Sequence, residues 1–259
     1  MNAIVRNIQI HPDYQKFKTE ILSAIDNFDK QGDVVFEGGR NHIKKFKIGD
    51  EYFSVKSFKS PSWFNAFVYK YIRKSKAKRS FEYALKLISS QISTPFPIAY
   101  VEEFSTFGIK KSYFVSLHIA YDFDFRVLIH NPNYPEREEI LKQFTEFTFK
   151  LHENQINFLD HSPGNTLIVK KKEGVYDFYL IDLNRMVFEP LDFVKRMKNF
   201  RRLWLSKAMV KIMAKHYAML SNANVKETHD LMLEFSRKFQ RKVDQKKLRK
   251  SGRKMQFKS

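Results

Sequence analysis

Between Asp33 and Phe58 apolar and polar residues alternate in three short runs, Asp33–Glu37, His42–Ile48 and Tyr52–Phe58. A period of two, broken by Gly38-Gly39-Arg40-Asn41 and by Gly49-Asp50, predicts antiparallel strands joined by tight turns. After Pro61 the period lengthens. Phe81, Leu85, Ile88 and Ile92 recur at helical spacing in a segment that ends before Pro95, and Glu82 borders their face. Two more strand-like runs follow, Ile98–Glu103 and Lys111–Ile119, so the first half reads as a five-stranded antiparallel sheet with one long helix.

In the second half Ile140, Phe144, Phe147 and Leu151 lie on one face of a predicted helix, Glu136 to Asn154, whose leading acids complement the helix dipole. Thr166–Lys170 and Tyr176–Ile181 form a predicted hairpin around Lys171-Lys172-Glu173-Gly174, and the pattern is helical from about Leu191. The expected organisation is one α+β catalytic domain over residues 1–259. It has a sheet-rich lobe over about 30–119, a mostly helical lobe over about 120–236 and a tail over 237–259.

Composition sharpens this picture. With 43% hydrophobic residues, 26 of them Phe among 259 positions, the chain can bury a full, Phe-rich core. It has no cysteine, which excludes disulfides, thiolate metal sites and a Cys nucleophile. The first residues lack the basic start and apolar run of a signal peptide, so a cytoplasmic protein, soluble or peripheral to a membrane, is expected. The net charge of +19 calls for an anionic partner. Arg237–Ser259 holds eleven Lys/Arg and one acid, and Lys70–Arg79 adds six basic residues and no acid.

The candidate chemistry lies in Leu159-Asp160-His161-Ser162-Pro163-Gly164-Asn165 and in Ile181-Asp182-Leu183-Asn184. Kinases carry an Asp with an Asn five residues on, then a second Asp after a hairpin. Asp160, Asn165 and Asp182 repeat that order after a helix and around a hairpin. Phosphoryl transfer needs one carboxylate to orient the acceptor hydroxyl and take its proton, plus hard oxygen ligands for Mg²⁺. Asp160 suits the first role; Asn165 and Asp182 suit the second. Lys56, ending Tyr52-Phe53-Ser54-Val55-Lys56, suits the phosphate-anchoring lysine of the third strand, with Glu82 as its expected ion-pair partner. Gly38 and Gly39 stand where a Gly-rich loop would cover nucleotide phosphates, although a hairpin turn alone also explains them.

Taken together these stretches resemble the lipopolysaccharide kinases of the Kdo/WaaP type, within the protein-kinase-like superfamily. The resemblance rests on Leu151-His152, Asp160–Asn165 with its Ser-Pro-Gly insert, Ile181-Asp182-Leu183-Asn184-Arg185, and Arg196-Met197-Lys198-Asn199-Phe200-Arg201-Arg202-Leu203. It covers roughly residues 33–220. It implies a two-lobed kinase fold and ATP-dependent, Mg²⁺-dependent phosphorylation of an inner-core sugar, such as Kdo on lipid A, at the cytoplasmic face of the inner membrane. Phe158 stands where the family usually has His, and Asn184 where kinases have the Gly of the metal loop; neither change removes a proposed ligand or base. His161 reads as a substrate contact or, more commonly for a loop histidine, as a structural hydrogen-bonding residue.

Two other classes fit the same chain: a protein Ser/Thr or small-molecule kinase on this fold, and an inactive relative that binds membrane or nucleic acid. Nucleic acid is disfavoured, since no RNA-binding aromatic motif stands out. The tail is expected to bind anionic membrane electrostatically. The alternative is a helix packed on the second lobe, because Phe239, Val243 and Leu248 recur at helical spacing.

Overall fold

The computed structural model describes residues 4–39, 41–59, 74–106 and 108–256. Arg40 of the first turn, Pro61, Lys70–Arg73 of the first basic run and the last three residues of the tail lie outside them. The chain forms two units: Met1–Ala120 with Asp182–Asn184, and Tyr121–Ile181 with Arg185–Ser259.

The first unit is built on strands β1 (Val5–Ile10), β2 (Asp33–Glu37), β3 (Asn41–Ile48), β4 (Glu51–Phe58), β5 (Pro97–Ser105) and β6 (Gly108–Leu117). They form one antiparallel sheet in the order β1-β5-β6-β4-β3-β2. The sheet thus has six strands where five are expected. β1 escapes the hydrophobic pattern because its side chains are mostly exposed. Polar pairs hold it on the edge, Arg6 Nη2 to Glu103 Oε1 at 2.8 Å and Asn7 Nδ2 to Glu102 Oε2 at 2.8 Å. Helix α1 (Lys18–Asp26) buries Ile21 and Ile25 in a core with Phe53, Val55, Val101 and Val115. Helix α2 (Lys76–Ser89) is capped by Ser75, whose hydroxyl accepts from Lys78 N at 3.0 Å, and packs Phe81 on Tyr100 at the predicted apolar stripe. It stops at Ser89, two residues before Gln91 in the left-handed region.

The second unit contains β7 (Phe123–Asp124), α3 (Arg126–His130), α4 (Arg137–Glu153), β8 (Ile156–Phe158), β9 (Thr166–Lys172), β10 (Val175–Leu180) and β11 (Met186–Phe188). Helices α5 (Phe193–Asn199), α6 (Lys207–Ser221) and α7 (Val225–Gln256) complete it. β9 and β10 form the predicted hairpin, turning at Gly174 with φ of 70°. Glu136 ties it to α4, accepting from Gly174 N at 2.9 Å and from Lys170 Nζ at 3.0 Å. The core joins Phe125, Phe144, Phe200 and Tyr217 to a group of methionines, Met197, Met209, Met213 and Met232.

As far as Gln256 the tail continues α7, a helix of 32 residues. Phe239 packs edge-on against Trp204 at 6.0 Å, the Arg202 guanidinium lies 5.4 Å over the Phe239 ring, and Lys247 lies 5.6 Å over Trp204. Leu248 is exposed. The packed-helix alternative therefore describes the part around Phe239, with Lys247 also reaching Trp204, while Arg241, Lys242, Lys246 and Arg249 are exposed.

Candidate active site

In the first unit β4 places Lys56 between Ile43 of β3 and Phe114 of β6, inside the sheet. Its Nζ donates to Asp182 Oδ1 at 2.7 Å, with both side chains largely shielded. Asp182 has φ of 57°, a left-handed conformation that a non-Gly residue keeps only where its surroundings fix it. Asn184 supplies part of that fixing. Its Nδ2 donates to the same Oδ1 at 2.7 Å, and Arg79 Nη1 of α2 donates to Asn184 O at 2.8 Å. The Asn at the position of a flexible Gly is thus a hydrogen-bond donor to the aspartate.

The expected Lys56–Glu82 pair is not formed. Glu82 pairs with Lys74, whose Nζ lies 2.8 Å from Oε2 near the start of α2, while Lys56 is compensated by Asp182. The physical reason is burial. A shielded ammonium gains more from a shielded carboxylate than from one already satisfied at the surface. The α2 residue that does reach the 182–184 segment is Arg79, buried on that helix. Sequence reasoning passed over it as one more charge of the basic run, although its spacing of three from Glu82 places both on neighbouring positions of α2.

Gly38 and Gly39 sit in the β2–β3 turn, where Gly38 N donates to Asn41 O at 3.1 Å. A Cβ on Gly38 would come within 2.7 Å of the ring of Phe36, an exposed side chain that would have to turn aside. Around Gly39 there is open space.

In the second unit the loop after β8 carries Asp160 and Asn165. Asn165 Nδ2 donates to Asp160 O at 2.8 Å, Ser162 N donates to Asp160 O at 2.7 Å, and Leu159 N donates to Arg185 O at 3.0 Å. Ile181 N donates to Asn165 O at 3.0 Å, and the next residue in the chain is Asp182. The Asp160 carboxylate pairs with Arg202 Nη2 at 2.8 Å and more loosely with Arg185 Nη1 at 3.6 Å. Neither arginine was given a role by its motif. Arg126 Nη2 lies where a Cβ on Gly164 would approach it to 1.8 Å, so the guanidinium rests directly on that glycine.

The loop is held from below by Asn199, which is buried at the end of α5. Its Nδ2 donates to Phe158 O at 3.0 Å and to Asn157 Oδ1 at 2.9 Å, and its Oδ1 lies 2.9 Å from His161 Nδ1. His161 is fully buried between Phe144 and Phe158, and burial pushes its pKa down to about 4. It is therefore a neutral structural residue and not a substrate contact. His152, near the end of α4, is likewise buried, bonded to Tyr217 Oη at 2.8 Å, with a pKa lowered by burial to about 3.

Among the described residues no cluster of three or more His, Cys, Asp or Glu side chains is placed to hold a metal. In the first unit Asp182 offers a carboxylate and in the second Asn165 an amide oxygen, each a hard-oxygen donor. That chemistry suits Mg²⁺, which keeps several waters and binds through one or two side chains together with phosphate oxygens.

No protein-family model and no curated protein matches the chain. Its fold is similar to that of WaaP, solved in complex with acyl carrier protein, with a TM-score of 0.62 over 91% of this chain and 98% of that one. At 16% identity the likeness is one of fold.

Proposed function

We propose that the protein is an ATP-dependent kinase that phosphorylates a sugar hydroxyl of the lipopolysaccharide inner core, most simply Kdo linked to lipid A. The observation that carries this reading is the Lys56–Asp182 pair at 2.7 Å, with Asp182 in a strained backbone conformation. A strand lysine and the aspartate after the β9–β10 hairpin lie 126 residues apart in sequence, and general sheet stability explains neither. The kinase-like fold shared with WaaP and the motifs from Asp160 to Arg202 support the same assignment.

In this reading Lys56 binds and orients the nucleotide phosphates, and Asp182 and Asn165 hold Mg²⁺, with Glu82 left outside this set. Bound Mg²⁺ would neutralise charge on the phosphates. Asp160 orients the acceptor hydroxyl and accepts its proton, and the Asn165 side chain fixes the loop that presents Asp160. Gly38 and Gly39 offer backbone N–H groups to phosphate. The exposed basic residues of α7 favour an anionic membrane surface, where each Lys or Arg contributes about 1 kcal/mol, so the enzyme would act as a peripheral protein at the inner membrane. No helix among the described residues is long and apolar enough to cross a membrane.

The test is to incubate the protein with ATP, Mg²⁺ and Kdo-bearing lipid A, with a protein Ser/Thr substrate in parallel, and follow mass. A gain of one phosphate on the lipid, absent with Asp182→Ala, is the expected result. Phosphate on the protein substrate alone would move the acceptor to the alternative class, and undiminished transfer by Asp182→Ala would remove the site.

A further inference from the structure

The loop that carries Asp160 is surrounded by more positive charge than it needs. Arg202 meets the Asp160 carboxylate through a single Nη2 contact at 2.8 Å, and its Nε is buried without a hydrogen-bond partner. Arg185 approaches the other carboxylate oxygen only to 3.6 Å and keeps a side chain 55% exposed. Arg201, adjacent in the chain, donates to the backbone at Lys198 O at 2.9 Å, and among the described residues it has no carboxylate partner. Its pKa is lowered chiefly by burial.

Two guanidinium groups therefore share one carboxylate, leaving one positive charge uncompensated beside the proposed base. A purely structural role does not account for this. One arginine suffices to position a carboxylate, and a second adds repulsion and desolvation cost. Arginine's planar fork matches carboxylate and phosphate groups, and a guanidinium with unused donors beside the reacting residue is the arrangement that holds such an anion.

Resting on the kinase reading for the role of Asp160, we infer that the acceptor carries a carboxylate or phosphate close to the hydroxyl that is phosphorylated, and that Arg185 and Arg202 bind this anion. The three residues, Asp160, Arg185 and Arg202, belong to one unit and come from three segments: the loop after β8, the residue before β11 and the turn after α5. The anion would compete with Asp160 for Arg202 and leave the carboxylate freer to accept the hydroxyl proton. Specificity would then come from the acceptor's charge, since a neutral sugar gives Arg185 no close anionic partner.

Equilibrium binding tests this without requiring turnover. By calorimetry on the full chain, the methyl glycoside of Kdo would be compared with its methyl ester, and glucose 6-phosphate with glucose. The expected result is that one anion binds about 10- to 100-fold more tightly than its neutral counterpart, the range of a charge-assisted contact. Which pair shows it tells carboxylate from phosphate. Arg185→Gln should remove most of that preference while leaving the neutral compound's weak binding and the unfolding temperature unchanged. Arg202→Lys, which keeps a charge on Asp160, should reduce it in part. Equal binding of both members in both pairs, or no binding of any, overturns the inference, as does an Arg185→Gln protein that keeps the full preference. Failure of phosphate transfer with the anion preference intact would instead count against the kinase reading alone.

Discussion

Mild acid should destabilise this protein through its buried histidines. His152 and His161 have folded pKa values of about 3 and about 4, lowered chiefly by burial. In the unfolded chain both return to roughly 6.5. Above that pH both are neutral in either state and contribute no pH dependence. As pH falls below it, the unfolded chain takes up protons that the folded protein refuses, so stability is lost from about 6.5 down towards the folded values and levels off beneath them. One pH unit below the unfolded value, each histidine costs about 1.4 kcal/mol, or about 3 kcal/mol for the pair at pH 5.5 relative to pH 7.5. For a chain of this size that corresponds to a fall of about 6–12 °C in Tm. His118, also lowered by burial, acts in the same direction. The assay is thermal unfolding at the two pH values for the wild type, His161→Gln and His152→Phe. Each variant is expected to lose close to half of the acid-induced drop, whatever its own Tm at pH 7.5. A wild-type Tm that is the same at both pH values, or variants that keep the whole drop, would refute the assignment of buried neutral imidazoles.

Lys56→Ala should weaken nucleotide binding and cut turnover about 10²-fold or more, whereas Glu82→Ala, removing only the surface partner of Lys74, should change stability by less than about 0.5 kcal/mol and leave turnover intact. Comparable losses from both, read by initial rates at saturating ATP, would restore Glu82 as the partner of Lys56. Asn199→Ala strips three hydrogen bonds from beneath the Asp160 loop and leaves His161 Nδ1 and Asn157 Oδ1 buried without it, so urea unfolding should show a loss of about 2–4 kcal/mol; a loss under about 1 kcal/mol would mean the loop is held elsewhere. Truncation after Asp244 keeps Phe239 on Trp204 and should lower binding to anionic vesicles at unchanged Tm, while truncation after Ser236 should lower Tm as well. Vesicle binding that survives the shorter cut would remove α7 as the anionic-surface contact.

Much of this molecule is written in its local pattern. The alternation from Asp33 to Phe58, the stripe Phe81–Leu85–Ile88 and the β9–β10 hairpin depend on contacts between near neighbours, and their periods report which side chains are buried. The order Asp160, Asn165, Asp182 and the position of Lys56 at the end of its strand are likewise properties of the chain itself. What the sequence could not settle are choices between charges of the same kind. Six basic residues between Lys70 and Arg79 look alike in one dimension, yet Arg79 is buried on Asn184 O while Lys74 takes Glu82 at the surface. Burial makes the difference, because a pair's strength depends on how much water the fold leaves around it. β1 was missed for the complementary reason: an exposed edge strand has no apolar face to announce it, and its place is set by β5, some ninety residues away. The excess of guanidinium groups around Asp160 is also a tertiary fact, since Asp160, Arg185 and Arg202 come from separate segments and only folding brings their charges within reach of one another.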